Sequence, residues 1–158
     1  MKVLVLGIGS PFADDQAGWL VADQLSHLES LKEHQASGKL HIESENRPGL
    51  DLLIWLQQGY EHIILVDMVK TNLLETGNIY VLQAKEIIGF SGMLSSHNLG
   101  VSPSLALAEV LGIKIDNIIF YGIEGERYKP EEVMSEMMKD AAYKVTLQVQ
   151  EQLLKLLD

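Results

Sequence analysis

Two short and almost wholly apolar runs most strongly constrain the fold of this 158-residue chain. The first covers residues 2–6, and the second covers residues 63–66 and stops at Asp67. Continuous apolar runs of this length predict strands that are buried on both faces, as in parallel sheets covered by helices. Weaker patterns predict three further strands, at residues 40–43, 78–82 and 117–122.

The segments between these strands have the apolar spacing of amphipathic helices. A helix is predicted from about Asp15, with an inward face made of Trp19, Leu20, Ala22 and Leu25. Others are predicted after a turn within residues 48–56, around residues 105–111, and over residues 134–157. Strands joined by helical connections predict a mainly parallel sheet of about five strands. We therefore expect a single α/β domain over residues 1–158, built as a three-layer α/β/α sandwich.

Composition excludes several classes of function. The formal net charge of −10 repels phosphate backbones and anionic headgroups, so no nucleic-acid or membrane partner is expected. The absence of cysteine excludes disulfides, thiolate metal sites and a cysteine nucleophile. The apolar start is interrupted by Gly7 and then by two acids, which predicts neither a signal peptide nor a membrane span. The expected location is the cytoplasm.

Carboxylates follow two of the predicted strands. Asp14 and Asp15 lie in the loop after the first strand, and Asp67 ends the third. Ligands of open parallel sheets collect at the carboxyl ends of the strands, so these acids are candidates for one site. The loop also contains Gly7-Ile8-Gly9, but it lacks the third glycine of a dinucleotide fingerprint, and two acids disfavour a pyrophosphate. Helix capping by the acid pair, and a hydrogen bond from a loop amide to Asp67, are the structural alternatives.

One histidine stands out from the other four. His97 lies in a loop of small residues ahead of a predicted helix, where a structural role is the alternative to metal binding. Together with Asp15 and Asp67 it forms a ligand set that suits a borderline divalent ion such as nickel or zinc better than calcium. The remaining histidines lie in or beside polar stretches and are predicted to be surface residues: His27, His34, His41 and His62.

Several short motifs, spread over most of the chain, follow one pattern. They are Gly7-Ile8-Gly9, Asp14-Asp15-Gln16-Ala17-Gly18, Pro48-Gly49-Leu50-Asp51-Leu52-Leu53, Val66-Asp67, Ser96-His97-Asn98-Leu99-Gly100 and Gly122-Ile123-Glu124. In this order and after these elements, the motifs resemble those of the hydrogenase maturation proteases. That resemblance implies an endopeptidase that removes a C-terminal extension from the nickel-loaded large-subunit precursor of a nickel–iron hydrogenase.

The resemblance also implies roles for individual residues. Asp15, with Asp14 as the alternative, Asp67 and His97 would contact nickel that the precursor presents, and no organic cofactor is implied. Asp15 or Asp67 would activate a water as the catalytic carboxylate. Glu45 and Gly49 would contact the substrate. The precursor is the implied partner, and because such a contact is transient, we expect a monomer.

Two other functions use the same acids. A non-catalytic nickel chaperone would bind the metal through the same ligands without cutting anything. A receiver-type phosphoacceptor module would use Asp67, but it also needs a lysine after the last strand, where the chain has Tyr121-Gly122-Ile123-Glu124.

Overall fold

The computed structural model describes residues 1–47, 50–91, 101–126 and 133–158. The strands are β1 (Val3–Gly9), β2 (Leu40–Asn46), β3 (His62–Val69), β4 (Ile79–Gln83) and β5 (Ile118–Glu124). The helices are α1 (Ala17–Ser26), α2 (Glu29–Ala36), α3 (Leu52–Leu56), α4 (Ala84–Ser91), α5 (Ser102–Val110) and α6 (Glu136–Leu157). A short 3-10 turn, Ala13–Gln16, precedes α1.

The described strands form one sheet with the order β2-β1-β3-β5-β4. β1 pairs in parallel with both β2 and β3, and β3 pairs in parallel with β5. β4 runs antiparallel to β5 at the edge of the sheet. The predicted sheet, mainly parallel and of five strands, is confirmed.

Helices cover both faces of the sheet, which confirms the three-layer arrangement. One core contains the buried sides of α1, α2 and α6, represented by Val21, Leu31 and Val145, packed on the sheet. The opposite core contains the buried sides of α3, α4 and α5. Every residue of β1 is buried, as the uninterrupted apolar run at its start predicts. Within the described ranges, no helix combines the length and the apolar character that a membrane span needs.

Several predicted elements differ from the observed ones. β1 continues through Gly9, and β3 continues to Val69, so Asp67 lies inside its strand rather than at the end. α1 begins at Ala17, because Asp15 belongs to the 3-10 turn before it. Trp19 and Leu20 are half-buried, whereas Ala22 and Leu25 are buried as expected. The helices α2 and α4 were not predicted.

A close backbone approach joins α1 to the centre of the sheet. A Cβ atom at Gly7 would lie 2.3 Å from the carbonyl oxygen of Gly18. A Cβ atom at Gly18 would lie 2.2 Å from the carbonyl oxygen of Ile8. Glycine at both positions therefore allows the helix to lie directly against β1. This contact fixes the position of the loop that joins β1 to α1.

The four histidines predicted at the surface are not alike. His27 is exposed, as predicted. His34, His41 and His62 are half-buried rather than fully exposed, which corrects the predicted surface position. His34 contacts the carboxylate of Asp158 at 2.9 Å, and His41 contacts the Tyr60 hydroxyl at 2.9 Å. Polar neighbours in the sequence conceal these contacts, because each partner is distant along the chain.

Candidate functional site

The candidate site lies at the carboxyl edge of the parallel strands. After β1 the chain turns sharply, and the Ser10 amide donates to the carbonyl oxygen of Asp15 at 3.1 Å. Within this turn Ala13 has a φ of 42°, which is an uncommon backbone conformation for a residue with a Cβ atom. The turn holds Asp15 against the end of β1, and the Ser10 hydroxyl donates to Asp15 Oδ2 at 2.5 Å.

Asp14 and Asp15 point to different partners. The Asp14 carboxylate accepts hydrogen bonds from the backbone amides of Ser135, at 3.0 Å, and Glu126, at 3.4 Å. Asp14 thus fastens the end of β5 and the start of α6 to the first loop. Asp15 instead contacts the same guanidinium nitrogen as Asp67. Asp15 remains the predicted metal contact of the two, since the Asp14 carboxylate is occupied by backbone amides.

We expect Asp14→Ala to destabilise the protein through the loss of these two backbone contacts. Asp14 is 5% exposed, and its removal deletes both hydrogen bonds that this carboxylate accepts from backbone amides. The expected cost is about 2 kcal/mol in the free energy of unfolding. Urea denaturation followed by circular dichroism measures it, and an unchanged midpoint would contradict the assigned role.

Asp67 is the most deeply buried acid of the site. Its side chain is 1% exposed, and its backbone pairs with Gly122 of β5 in the middle of the sheet. Because strand residues alternate between faces, Asp67 shares the side of Ile63 and Leu65, which belong to the core covered by α3, α4 and α5. A carboxylate so placed needs a strong partner.

That partner is Arg47, which follows β2. Its Nη1 donates to Asp67 Oδ2 at 2.7 Å and its Nη2 donates to Asp67 Oδ1 at 2.5 Å, a bidentate pair. Nη2 also donates to Asp15 Oδ1. Burial lowers the pKa of the Arg47 guanidinium, but the charges of Asp67 and Asp15 outweigh it and raise the pKa above its usual value. The group therefore stays charged at every ordinary pH.

Of the other predicted site residues, the structure describes only Glu45. Glu45 lies in β2, is half-buried, and accepts a hydrogen bond from Trp19 Nε1 on its carbonyl oxygen at 2.9 Å. That contact fastens β2 to α1 and leaves the predicted substrate contact of the Glu45 side chain untested. His97 and Gly49 lie outside the described residues.

A further buried acid at the same edge, Glu124, has a structural role. The Glu124 carboxylate at the end of β5 accepts from the Thr71 amide at 2.9 Å, from the Thr71 hydroxyl, and from the Tyr80 hydroxyl at 2.8 Å. Burial, and to a smaller extent Glu124, raise the pKa of Tyr80, so this hydroxyl keeps its proton. The cluster anchors the loop after β3 to β4 and β5. Sequence reasoning did not anticipate it, nor the roles of Arg47 and Ser10.

The pair of carboxylates suits a cation. Asp15 and Asp67 both contact one nitrogen atom of Arg47, so their oxygens converge on one position. Carboxylate oxygens are suitable ligands for divalent ions. Within the described ranges, no group of three or more histidine, aspartate or glutamate side chains is arranged to hold a metal. Two of the three predicted ligands thus come together in the structure, and the third belongs to residues that it does not describe.

Comparison with known proteins gives a consistent result. The family model of the hydrogenase maturation protease HycI matches residues 48–152. A search of curated proteins finds no match.

Solved structures of the same description share the fold. The chain is similar to the hydrogenase maturating endopeptidase HybD from E. coli, with a TM-score of 0.77 and 20% identity over 98% of this chain and 93% of that one. It is similar to a hydrogenase 2 maturation peptidase from a Thaumarchaeota archaeon, with a TM-score of 0.67 and 23% identity over 97% and 98%. For the [NiFe] hydrogenase maturation protease HybD from Thermococcus kodakarensis the values are 0.65 and 22%, over 97% and 99%.

Proposed function

Because the chain belongs to the hydrogenase maturation protease family, we propose that it removes a C-terminal extension from the large-subunit precursor of a nickel–iron hydrogenase. Family membership makes it an endopeptidase of hydrogenase maturation. The substrate and the position of the cut are the proposed part. Neither a nickel chaperone nor a phosphoacceptor module is favoured by the family match.

The observation that carries the proposal is the convergence of Asp15 and Asp67 on one point at the carboxyl edge of the sheet. Both side chains are nearly buried, 9% and 1% exposed, so water weakens their attraction for a cation much less than it would at the surface. Nickel held by the precursor is the proposed cation, with His97 as the third contact. When bound, it would polarise the carbonyl of the scissile peptide.

The chemistry that the chain itself supplies is proton transfer. A water molecule adds its oxygen to the scissile carbonyl carbon, and one carboxylate of the pair accepts the released proton. The carbon–nitrogen bond then breaks, and the same proton passes to the departing amine. Ser10 contributes by holding one oxygen of Asp15, which leaves the other oxygen directed at the position that Arg47 Nη2 occupies and that Asp67 also contacts.

The test is the intact mass of a nickel-loaded precursor after incubation with the protein. We expect the loss of a C-terminal peptide with the unmodified protein, and no loss with His97→Ala. Omitting nickel from the precursor provides the matched control. An unchanged mass with the unmodified protein, despite confirmed nickel loading, would contradict the proposed cleavage and favour the chaperone.

A further inference from the structure

Arg47 occupies the position at which the two carboxylates converge. Its Nη2 contacts both Asp15 and Asp67, and its Nη1 contacts Asp67 a second time. The three groups together carry one residual negative charge, from two carboxylates and one guanidinium. The cation in this site of the isolated chain is therefore part of the chain.

Each of the four carboxylate oxygens of the pair already accepts a hydrogen bond. Three accept from Arg47, and the fourth, Asp15 Oδ2, accepts from Ser10 at 2.5 Å. A metal ion that bridged the pair would need one oxygen from each acid. At the position where the two acids converge, the ion would have to displace the guanidinium, because Arg47 Nη2 already occupies it.

Replacement of the guanidinium by a divalent ion has a favourable and an unfavourable contribution to the binding free energy. A divalent ion neutralises both carboxylates, whereas the guanidinium leaves one charge uncompensated. Against this, two parallel hydrogen bonds to Asp67 must be broken, and such charge-assisted bonds are roughly twice as strong as neutral ones. A free hydrated ion must also lose water. Arg47 thus competes most effectively against an ion that arrives alone.

The position of Arg47 allows it to leave. It follows the last residue of β2, Asn46, and β2 is an edge strand that pairs only with β1 among the described strands. Its side chain is 20% exposed, more than either acid, so a path to solvent exists. Its Nε is buried without a hydrogen-bond partner among the described residues, and such a donor weakens the hold of the site on the side chain.

We propose that Arg47 is a built-in cation that keeps free divalent ions away from Asp15 and Asp67 and withdraws when a substrate brings its own metal. The inference rests on the proposed function, because it explains why the metal would be accepted only from the precursor. Docking of the precursor surface supplies binding free energy that a free ion does not have, and this energy offsets the loss of the Arg47 contacts. Arg47 is on this view a specificity-determining residue, which separates metal-bearing substrate from metal alone.

The experiment is a calorimetric titration of Ni²⁺ into the isolated full-length protein, without precursor. We expect weak binding by the unmodified protein and binding at least about tenfold tighter by Arg47→Gln, because the charge-assisted bonds no longer compete. Adding Asp67→Asn to Arg47→Gln should remove the gain. Lys155→Gln, which deletes an exposed positive charge near the far end of α6, should bind like the unmodified protein.

A second variant covers the case in which Arg47→Gln does not fold. Arg47→Lys keeps the charge but lacks the planar fork, so its affinity for Ni²⁺ should be higher than that of the unmodified protein and lower than that of Arg47→Gln. Equal affinity in the unmodified protein and the Arg47 variants would overturn the inference. So would a gain that survives Asp67→Asn. Neither result depends on cleavage, which the precursor mass measures separately.

Discussion

Asp67→Asn is expected to lower the kcat/KM for precursor cleavage by at least about 10³-fold, within the range typical for loss of a catalytic base. The substitution keeps the shape of the side chain but removes its charge and half of the bidentate contact with Arg47. In the proposed mechanism it takes away one of two groups that recognise the metal and can accept the proton. The rate is measured by mass spectrometry with excess precursor, and circular dichroism gives the folded fraction for correction.

Asp14→Asn is the matched control for this loss. It changes a buried acid only one residue from Asp15, but its carboxylate faces the backbone of Glu126 and Ser135. Cleavage per folded molecule should stay close to that of the unmodified protein. If Asp14→Asn and Asp67→Asn reduced cleavage equally, the assignment of Asp67 to the reaction would be wrong.

Gly18→Ala is expected to destabilise the fold by at least about 3 kcal/mol, at the upper end of the usual cost of overpacking. The new Cβ atom would lie 2.2 Å from the carbonyl oxygen of Ile8 and 2.7 Å from that of Val66. Both oxygens belong to the backbone of paired central strands, so the helix has to move. The resulting fall in melting temperature is roughly 10 °C, measured by thermal denaturation.

Gly89→Ala separates this clash from a general effect of replacing glycine. Gly89 lies in α4 and is exposed, and a Cβ atom there would meet nothing within 4 Å. Alanine at this position should stabilise the protein by up to about 1 kcal/mol, through its higher helix propensity. A melting temperature for Gly18→Ala no lower than that for Gly89→Ala would contradict the close packing of α1 on β1.

The parts of the fold that the sequence predicts best are those with the most regular burial. β1 and β3 are apolar on both faces, and α6 repeats its buried positions over 22 residues. The rule that ligands gather at the carboxyl ends of strands then places Asp15 and Asp67 at one edge. A strand buried on both faces and a helix with one buried side each have a uniform environment, so the local apolar pattern predicts them.

Elements with little local pattern were missed. α2 buries only Leu31 among its eight residues, so no apolar period identifies it. β3 continues beyond the charge at Asp67 because a neighbouring strand pairs with it, which an apolar run cannot show. The antiparallel direction of β4 could have been predicted, because its connection from β3, residues 70–78, is too short for a crossover helix.

Arg47 was missed because its partners are distant in the sequence. They lie 20 and 32 residues away, and a basic residue after a polar strand normally faces solvent. The rule that identified Asp15 and Asp67 would have identified Arg47 as well, if applied to the end of β2. Its partners could still not have been predicted, because they depend on the order of the strands in the sheet, which one sequence does not give.

The positions of β2 and β3 in the sheet give Arg47 and Asp67 different local stabilities. Asp67 lies in β3, which is paired on both sides and packed on both faces, so we expect the amide hydrogens of this strand to exchange only when the whole domain unfolds. Arg47 lies just past the end of an edge strand, where opening costs far less. We therefore expect fluctuations that leave the sheet intact to release the guanidinium before they expose Asp67, so that the site can open without unfolding of the domain.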